Sequence, residues 1–351
     1  MLNPPLLAGL TARVVQTPRL AMHVLERGDP NNQPIVLVHG NVSAARFWEE
    51  LMLVLPDDYY VIAPDLRSYG RSERLPLDAT RGVRDFSDDL DSLLQTLNLR
   101  QPHLVGWSLG GNIILQYALD YAANVRSLTL VAPGSPYGYG GTHGHDGQPN
   151  SPDYAGSGGG TANAAFVEAL KNQDRGAGPV SPRTIMNSFY FKPPFRSSRE
   201  DMFVDEMLQT YCSPQNYPGD LVASENWPLV APGTGGVNNA LSPKYLNQSS
   251  FATIQPQPPV LWIRGDADQI VSDASMFDLC MLGQLGLVPG WPGAETHPAQ
   301  PMVGQMRAVL ENYAAHGGDY QETVLANCGH SPHIEQPSLF NTALLDFLTQ
   351  V

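Results

Sequence analysis

Short apolar runs alternate with amphipathic stretches over the first third of the chain. Residues 34–40 (PIVLVHG), 59–65 (YYVIAPD), 102–108 (PHLVGWS) and 127–133 (SLTLVAP) read as buried strands bounded by turn residues. Between the second and third, Val83, Phe86, Leu90, Leu93, Leu94 and Leu97 recur at helical spacing, with Asp88, Asp89 and Asp91 on the other side. This spacing predicts an amphipathic helix that covers one face of a sheet and turns its acidic side to solvent. A helix rich in Ile, Leu and Ala follows at 110–125. The alternation resumes at 259–265 (PVLWIRG), continues at 322–327 and closes with 337–348, where Leu339, Phe340, Ala343, Leu344, Phe347 and Leu348 predict a packed terminal helix. Strands alternating with helices imply an α/β fold with a mostly parallel, doubly wound sheet.

The texture changes between 134 and 258, where glycines and scattered tyrosines replace the alternation. A mainly helical, loop-rich cap inserted into a core of 1–133 and 259–351 is expected. Within it, 162–171 reads as a helix. Residues 197–211 (SSREDMFVDEMLQTY) read as another, opened by a capping box of Ser197 and Glu200, with Met202, Phe203, Met207 and Leu208 on one face. The aromatics Phe189, Tyr190, Phe191, Phe195, Trp227 and Tyr245 suit the insertion's own core better than a pocket wall. Residues 280–300 match no motif.

Composition narrows the function classes. The 351 residues exceed the roughly 150 expected of one domain. With 42% hydrophobic and only 15% charged residues, intrinsic disorder is excluded. The 33 glycines and 31 prolines predict many loops. A net charge of −14 argues against nucleic acid or an anionic membrane as partner. No apolar run approaches the roughly 18 residues of a membrane span, and no basic segment precedes the short N-terminal apolar stretch. Cys212, Cys280 and Cys328 lie far apart, which suggests buried thiols in a reducing compartment. A cytoplasmic protein is expected, and nothing specifies its oligomeric state.

The chemistry centres on Gly106-Trp107-Ser108-Leu109-Gly110, a G-x-S-x-G motif between a strand and a helix. Glycines two residues either side of the serine let the turn close, so that its Oγ projects above the sheet and the helix N-terminus faces any oxyanion. His39-Gly40-Asn41 ends an earlier strand, where a loop N–H can join that of Leu109 in an oxyanion hole, with His39 bracing the loop. Asp268, after the strand at 259–265, is the expected acid, with Asp266 as alternative. His330, after the last strand, is the expected base, with His333 as competitor. The order Ser108, Asp268, His330 suits the motif. His143, His145 and Asp146 read as a solvated loop in preference to a metal site.

HGN at 39–41, DLRSYGRS at 65–72, GWSLGG at 106–111, GDADQIV at 265–271 and GHSPHIEQP at 329–337 together resemble the α/β-hydrolase superfamily over residues 19–133 and 259–351. The resemblance implies Ser108 as nucleophile, Asp268 as acid and His330 as base. It also implies an oxyanion hole of the backbone N–H of Leu109 with that of Asn41 or Val42. A serine at 108 argues against the dehalogenase and epoxide-hydrolase branches, which use aspartate there. Ser68 stands where many relatives have glycine, which puts that turn in question. The expected function is hydrolysis of a carboxylic ester or lactone, on a small, apolar substrate, through an acyl-enzyme and without metal or organic cofactor. Carbon–carbon bond hydrolysis, perhydrolysis and acyl transfer are alternatives on the same triad; a ligand-binding receptor on a hydrolase scaffold is one from another class. Because every chemical element falls outside 134–258, the cap is expected to select substrates and leave the bond-breaking to the core.

Overall fold

The computed structural model describes residues 5–351; residues 1–4, part of the core expected from sequence, lie outside the described residues. Eight strands form the main sheet: β1 (Thr11–Gln16), β2 (Ala21–Arg27), β3 (Gln33–Val38), β4 (Tyr59–Pro64), β5 (His103–Trp107), β6 (Ser127–Val131), β7 (Val260–Gly265) and β8 (Tyr320–Leu325). Their order is β1-β2-β4-β3-β5-β6-β7-β8. The pairs β1–β2 and β2–β4 are antiparallel and all others parallel. Every residue of β5 and β6 is buried, as parallel strands covered on both faces must be.

Helix α1 (Arg84–Thr96) buries Phe86, Leu90, Leu93 and Leu94 as its spacing predicts and packs on α2 (Leu109–Tyr121). Its acidic side departs from the expectation of a solvated face. Asp89 is buried, with a bidentate bond from Arg67 at 2.6 and 2.7 Å and another from Arg19 at 2.7 Å. Asp85 is also buried and pairs with Arg81 and Arg67. A buried carboxylate needs such partners, and these stand outside the helix, where its own pattern does not show them.

No strand of the main sheet comes from residues 132–259. This stretch carries α3 (Ala164–Lys171), capped by the Asn163 side chain, and α4 (Glu200–Met207). α4 is shorter than the pattern at 197–211 suggests, and the expected capping box does not form. Glu200 pairs with Arg183 instead, at 2.5 Å, and no side chain caps the helix. Met202, Phe203, Met207 and Leu208 are nevertheless buried together. In the last part of the chain, α5 (Met302–Ala315) lay in no predicted element. The terminal α6 (Pro337–Leu348) buries Phe340, Leu344, Phe347 and Leu348 but leaves Leu339 exposed.

No described helix is long and apolar enough to cross a membrane. All three cysteines are free thiols; Cys280 and Cys328 are buried and Cys212 half-buried.

Candidate active site

Ser108 occupies the turn between β5 and α2 with φ +55° and ψ −120°, a backbone region that residues other than glycine seldom adopt and that surrounding structure must impose. The imposition is steric. A Cβ on Gly106 would lie 2.3 Å from the Gly110 carbonyl oxygen, and one on Gly110 would lie 2.2 Å from that of Val38. Only glycine at both positions lets strand, turn and helix approach so closely. The Ser108 N–H donates to the Val131 carbonyl at 2.9 Å, fixing the turn to the neighbouring strand. Leu109 opens α2, so its N–H has no acceptor within the helix.

Asp268 and His330 arrive from the ends of β7 and β8. His330 Nδ1 lies 2.7 Å from Asp268 Oδ2, and both residues are buried. Facing a carboxylate, Nδ1 carries the proton, which leaves the lone pair on Nε2. The other carboxylate oxygen accepts from the N–H groups of Ile270 at 2.7 Å and Val271 at 3.0 Å, so the acid cannot turn. Asp266 is exposed and accepts from the Asn327 N–H at 2.7 Å, away from the histidine. His333 is buried beside Trp48 and Trp107, with ring centroids 4.2 and 5.1 Å away. Burial, with the nearby His330, pushes its pKa down to about 3.

His39, Gly40 and Asn41 bend over the serine: a Cβ on Gly40 would come within 3.1 Å of that of Ser108. His39 Nε2 accepts from the Leu66 N–H at 3.0 Å, so Nδ1 carries the ring proton and donates to the Gly40 carbonyl at 2.8 Å. Burial lowers the His39 pKa to about 4 and keeps the ring neutral. Ser43 Oγ donates to the same carbonyl at 2.8 Å. Because N–H and C=O point to opposite sides of a trans peptide, these two bonds turn the Asn41 N–H the other way. Val42, the alternative donor, has its N–H engaged by Asn41 Oδ1 at 3.0 Å.

Ser108, Leu109, Asn41 and His330 all line one cavity of about 320 Å³. Its walls include Phe166, Phe189, Leu241, Ile270, Met276 and Leu282, and none of the described lining residues is Lys, Arg, Asp or Glu. Of the aromatics between 134 and 258 singled out in the sequence, Phe189 and Tyr190 line it; Phe191, Phe195, Trp227 and Tyr245 do not. Among the described residues, no group of three or more His, Cys, Asp or Glu is placed to hold a metal ion.

Residues 33–280, more than half of the chain, match the family described as the alpha/beta hydrolase fold. The chain belongs to that family. It is 36% identical to 2-hydroxymuconate semialdehyde hydrolase of Pseudomonas sp. (strain CF600) over 101 residues, 28% of this chain and 35% of that protein. The chain spans less than half the length of the curated relatives it matches first. Among solved structures it resembles the epoxide hydrolase CorEH, with a TM-score of 0.62, 18% identity and coverage of 97% of this chain and 99% of that one. Carboxylesterase CesB of Bacillus subtilis gives a TM-score of 0.59, 16% identity and coverage of 97% and 92%.

In this α/β hydrolase the sequence reading missed three contributions. Glu335 accepts from the N–H groups of Gly329, Ser331 and Lys192 and so holds the loop bearing His330; a carboxylate five residues after that histidine was the available signal. Met276, Phe277, Leu279 and Leu282 form part of the cavity wall, so that wall is not drawn from 134–258 alone. The third is Tyr190, whose hydroxyl reaches the loop at 41–42. Ser68 does adopt the left-handed turn, at φ +67°, with its hydroxyl donating to the Leu75 carbonyl and accepting from Asn216.

Proposed function

We propose that this α/β hydrolase is a serine hydrolase that cleaves a neutral, apolar carboxylic ester or lactone. The observation that carries the reading is the 2.7 Å Asp268–His330 pair, whose histidine lines with Ser108 a cavity that has no charged side chain in its wall. Such a wall gives no counter-charge to an anionic or cationic substrate, and burying an unpaired charge is costly.

Ser108 Oγ attacks the carbonyl carbon as His330 Nε2 takes its proton, and Asp268 stabilises the resulting imidazolium. The oxyanion faces the N–H groups of Asn41 and Leu109. Collapse expels the alcohol, which leaves with the proton held on His330. Water then repeats the sequence, freeing the acid and Ser108. No step calls for a metal or organic cofactor. Residues 134–258 act as a cap over the carboxyl ends of the strands, where ligands bind in open α/β sheets. The relative named as a semialdehyde hydrolase supports hydrolysis in general, and the serine at 108 disfavours the aspartate-dependent epoxide-hydrolase branch.

A panel of p-nitrophenyl esters of graded length, lactones and diketones tests the reading. Many turnovers on an ester or lactone, lost in Ser108→Ala, are expected. Turnover of diketones alone would replace it with carbon–carbon bond hydrolysis, and a single turnover per protein would make the chain a receptor.

A further inference from the structure

The loop that carries the Asn41 N–H is built on a strained residue. Val42 has φ +47°, a left-handed conformation that is a steric outlier for a β-branched side chain and persists only where neighbours over-determine it. Its own N–H donates to Asn41 Oδ1 at 3.0 Å, and Tyr69 donates to that same oxygen at 2.6 Å. The carbonyl side of the turn is held by Tyr190. Its hydroxyl lies 3.0 Å from the Asn41 carbonyl oxygen and 3.2 Å from that of Val42. Among the described residues no other group donates to either carbonyl. Tyr190 belongs to a π-helical turn, Met186–Tyr190, in the stretch between the sheet strands β6 and β7. A second tie comes from the same stretch, where Asn238 accepts from Asn41 Nδ2 at 3.3 Å.

We infer that Tyr190 is a positioning residue for the oxyanion hole: its hydroxyl holds the strained Asn41–Val42 turn that aims the Asn41 N–H at the tetrahedral intermediate. The inserted stretch then completes the catalytic geometry as well as roofing the cavity. Without that hydroxyl both carbonyls lose their donor, Val42 can relax toward negative φ, and the Gly40–Asn41 peptide that carries the donor N–H is steadied by the His39 and Ser43 bonds alone. Burial raises the Tyr190 pKa, so the group remains a donor at every pH at which the fold would work. The aromatic ring, edge-on to Trp107 and His330 at 5.7 and 6.3 Å, has a separate packing role.

The inference rests on the serine-hydrolase reading, and Tyr190→Phe tests it because the ring and its packing are kept. On a short p-nitrophenyl ester, kcat should fall roughly tenfold to a hundredfold, less than the loss of an oxyanion donor itself. KM should stay near wild type, and Tm should fall by a few degrees because both carbonyls lose their donor. Affinity for a trifluoromethyl ketone, which forms a tetrahedral adduct with the serine, should fall in the same proportion as kcat/KM. Val42→Gly in the Tyr190→Phe background should recover several-fold of the lost kcat, since glycine adopts positive φ without strain. Wild-type kcat and ketone affinity in an active Tyr190→Phe enzyme would overturn the inference. So would a loss of kcat without matching loss of ketone affinity, or a double variant with no recovery. A wild-type protein that turns over no ester and leaves Ser108 unlabelled by a fluorophosphonate would instead overturn the hydrolase reading, and this inference with it.

Discussion

Trp107 ties its neighbour in the chain to a residue far away in sequence: the indole Nε1–H donates to the backbone carbonyl of His330 at 2.8 Å. The turn bearing Ser108 and the loop bearing His330 are thereby held at a fixed separation. Trp107→Phe removes the donor and leaves a buried carbonyl unpaired, a cost of about 1–3 kcal/mol. The variant should melt several degrees lower and lose about tenfold in kcat, equivalent to ~1.4 kcal/mol. A lower Tm with unchanged kcat would show that the bond serves stability alone.

Asp268 has both carboxylate oxygens engaged, one by His330 and the other by two backbone N–H groups. Asp268→Asn should keep the fold, since an amide can still accept those N–H bonds, and lower kcat by roughly 10⁴ by favouring the wrong imidazole tautomer. Asp266→Asn, at an exposed side chain bonded to the Asn327 N–H, should stay within about threefold of wild type, a change of ~0.7 kcal/mol. Steady-state kinetics on one aryl ester compares them, and the reverse ranking would move the acid to Asp266.

His333 is buried and its pKa is pushed down to about 3 from an ordinary 6.5. In the unfolded chain this ring takes a proton below about pH 6.5, whereas in the folded protein it stays neutral until about pH 3. Its contribution to stability is therefore complete above pH 6.5 and is lost as the pH falls toward 3. His333→Phe suits the surrounding Trp48, Trp107 and Phe340 rings and should flatten that decline, read as the urea midpoint against pH. Activity should survive in this variant and vanish in His330→Ala. An unchanged acid slope would contradict the assigned burial effect.

Leu282 and Phe277 line the cavity from outside the 134–258 stretch. Leu282→Trp should fill part of the 320 Å³ and shift the ratio of kcat/KM between long and short acyl esters at least tenfold toward the short, about 1.4 kcal/mol. An unaltered chain-length profile would place the acyl chain against a different wall.

How far the site could be read from sequence follows the range over which each constraint acts. The serine turn was legible because Gly106 and Gly110 are demanded by clashes within the motif itself. Asp268 and His330 were legible because the fold delivers both from strand ends. The role of Tyr190 depends on a contact across 148 and 149 positions of chain, and no local pattern marks it. The burial of Asp89 was missed for the same reason: its partners Arg19 and Arg67 stand 70 and 22 residues away. Strand β1 escaped notice because only Val15 among its six residues is buried. As an edge strand it shows no alternation to detect.

Labelling of the whole protein with a fluorophosphonate, followed by mass-spectrometric localisation, tests most directly whether Ser108 is the activated nucleophile. A single adduct on the peptide containing Ser108 is expected, absent in Ser108→Ala and strongly slowed in His330→Ala, because only a serine with a general base and an oxyanion hole reacts rapidly. An adduct on another serine, or labelling of Ser108 at an undiminished rate without His330, would contradict it.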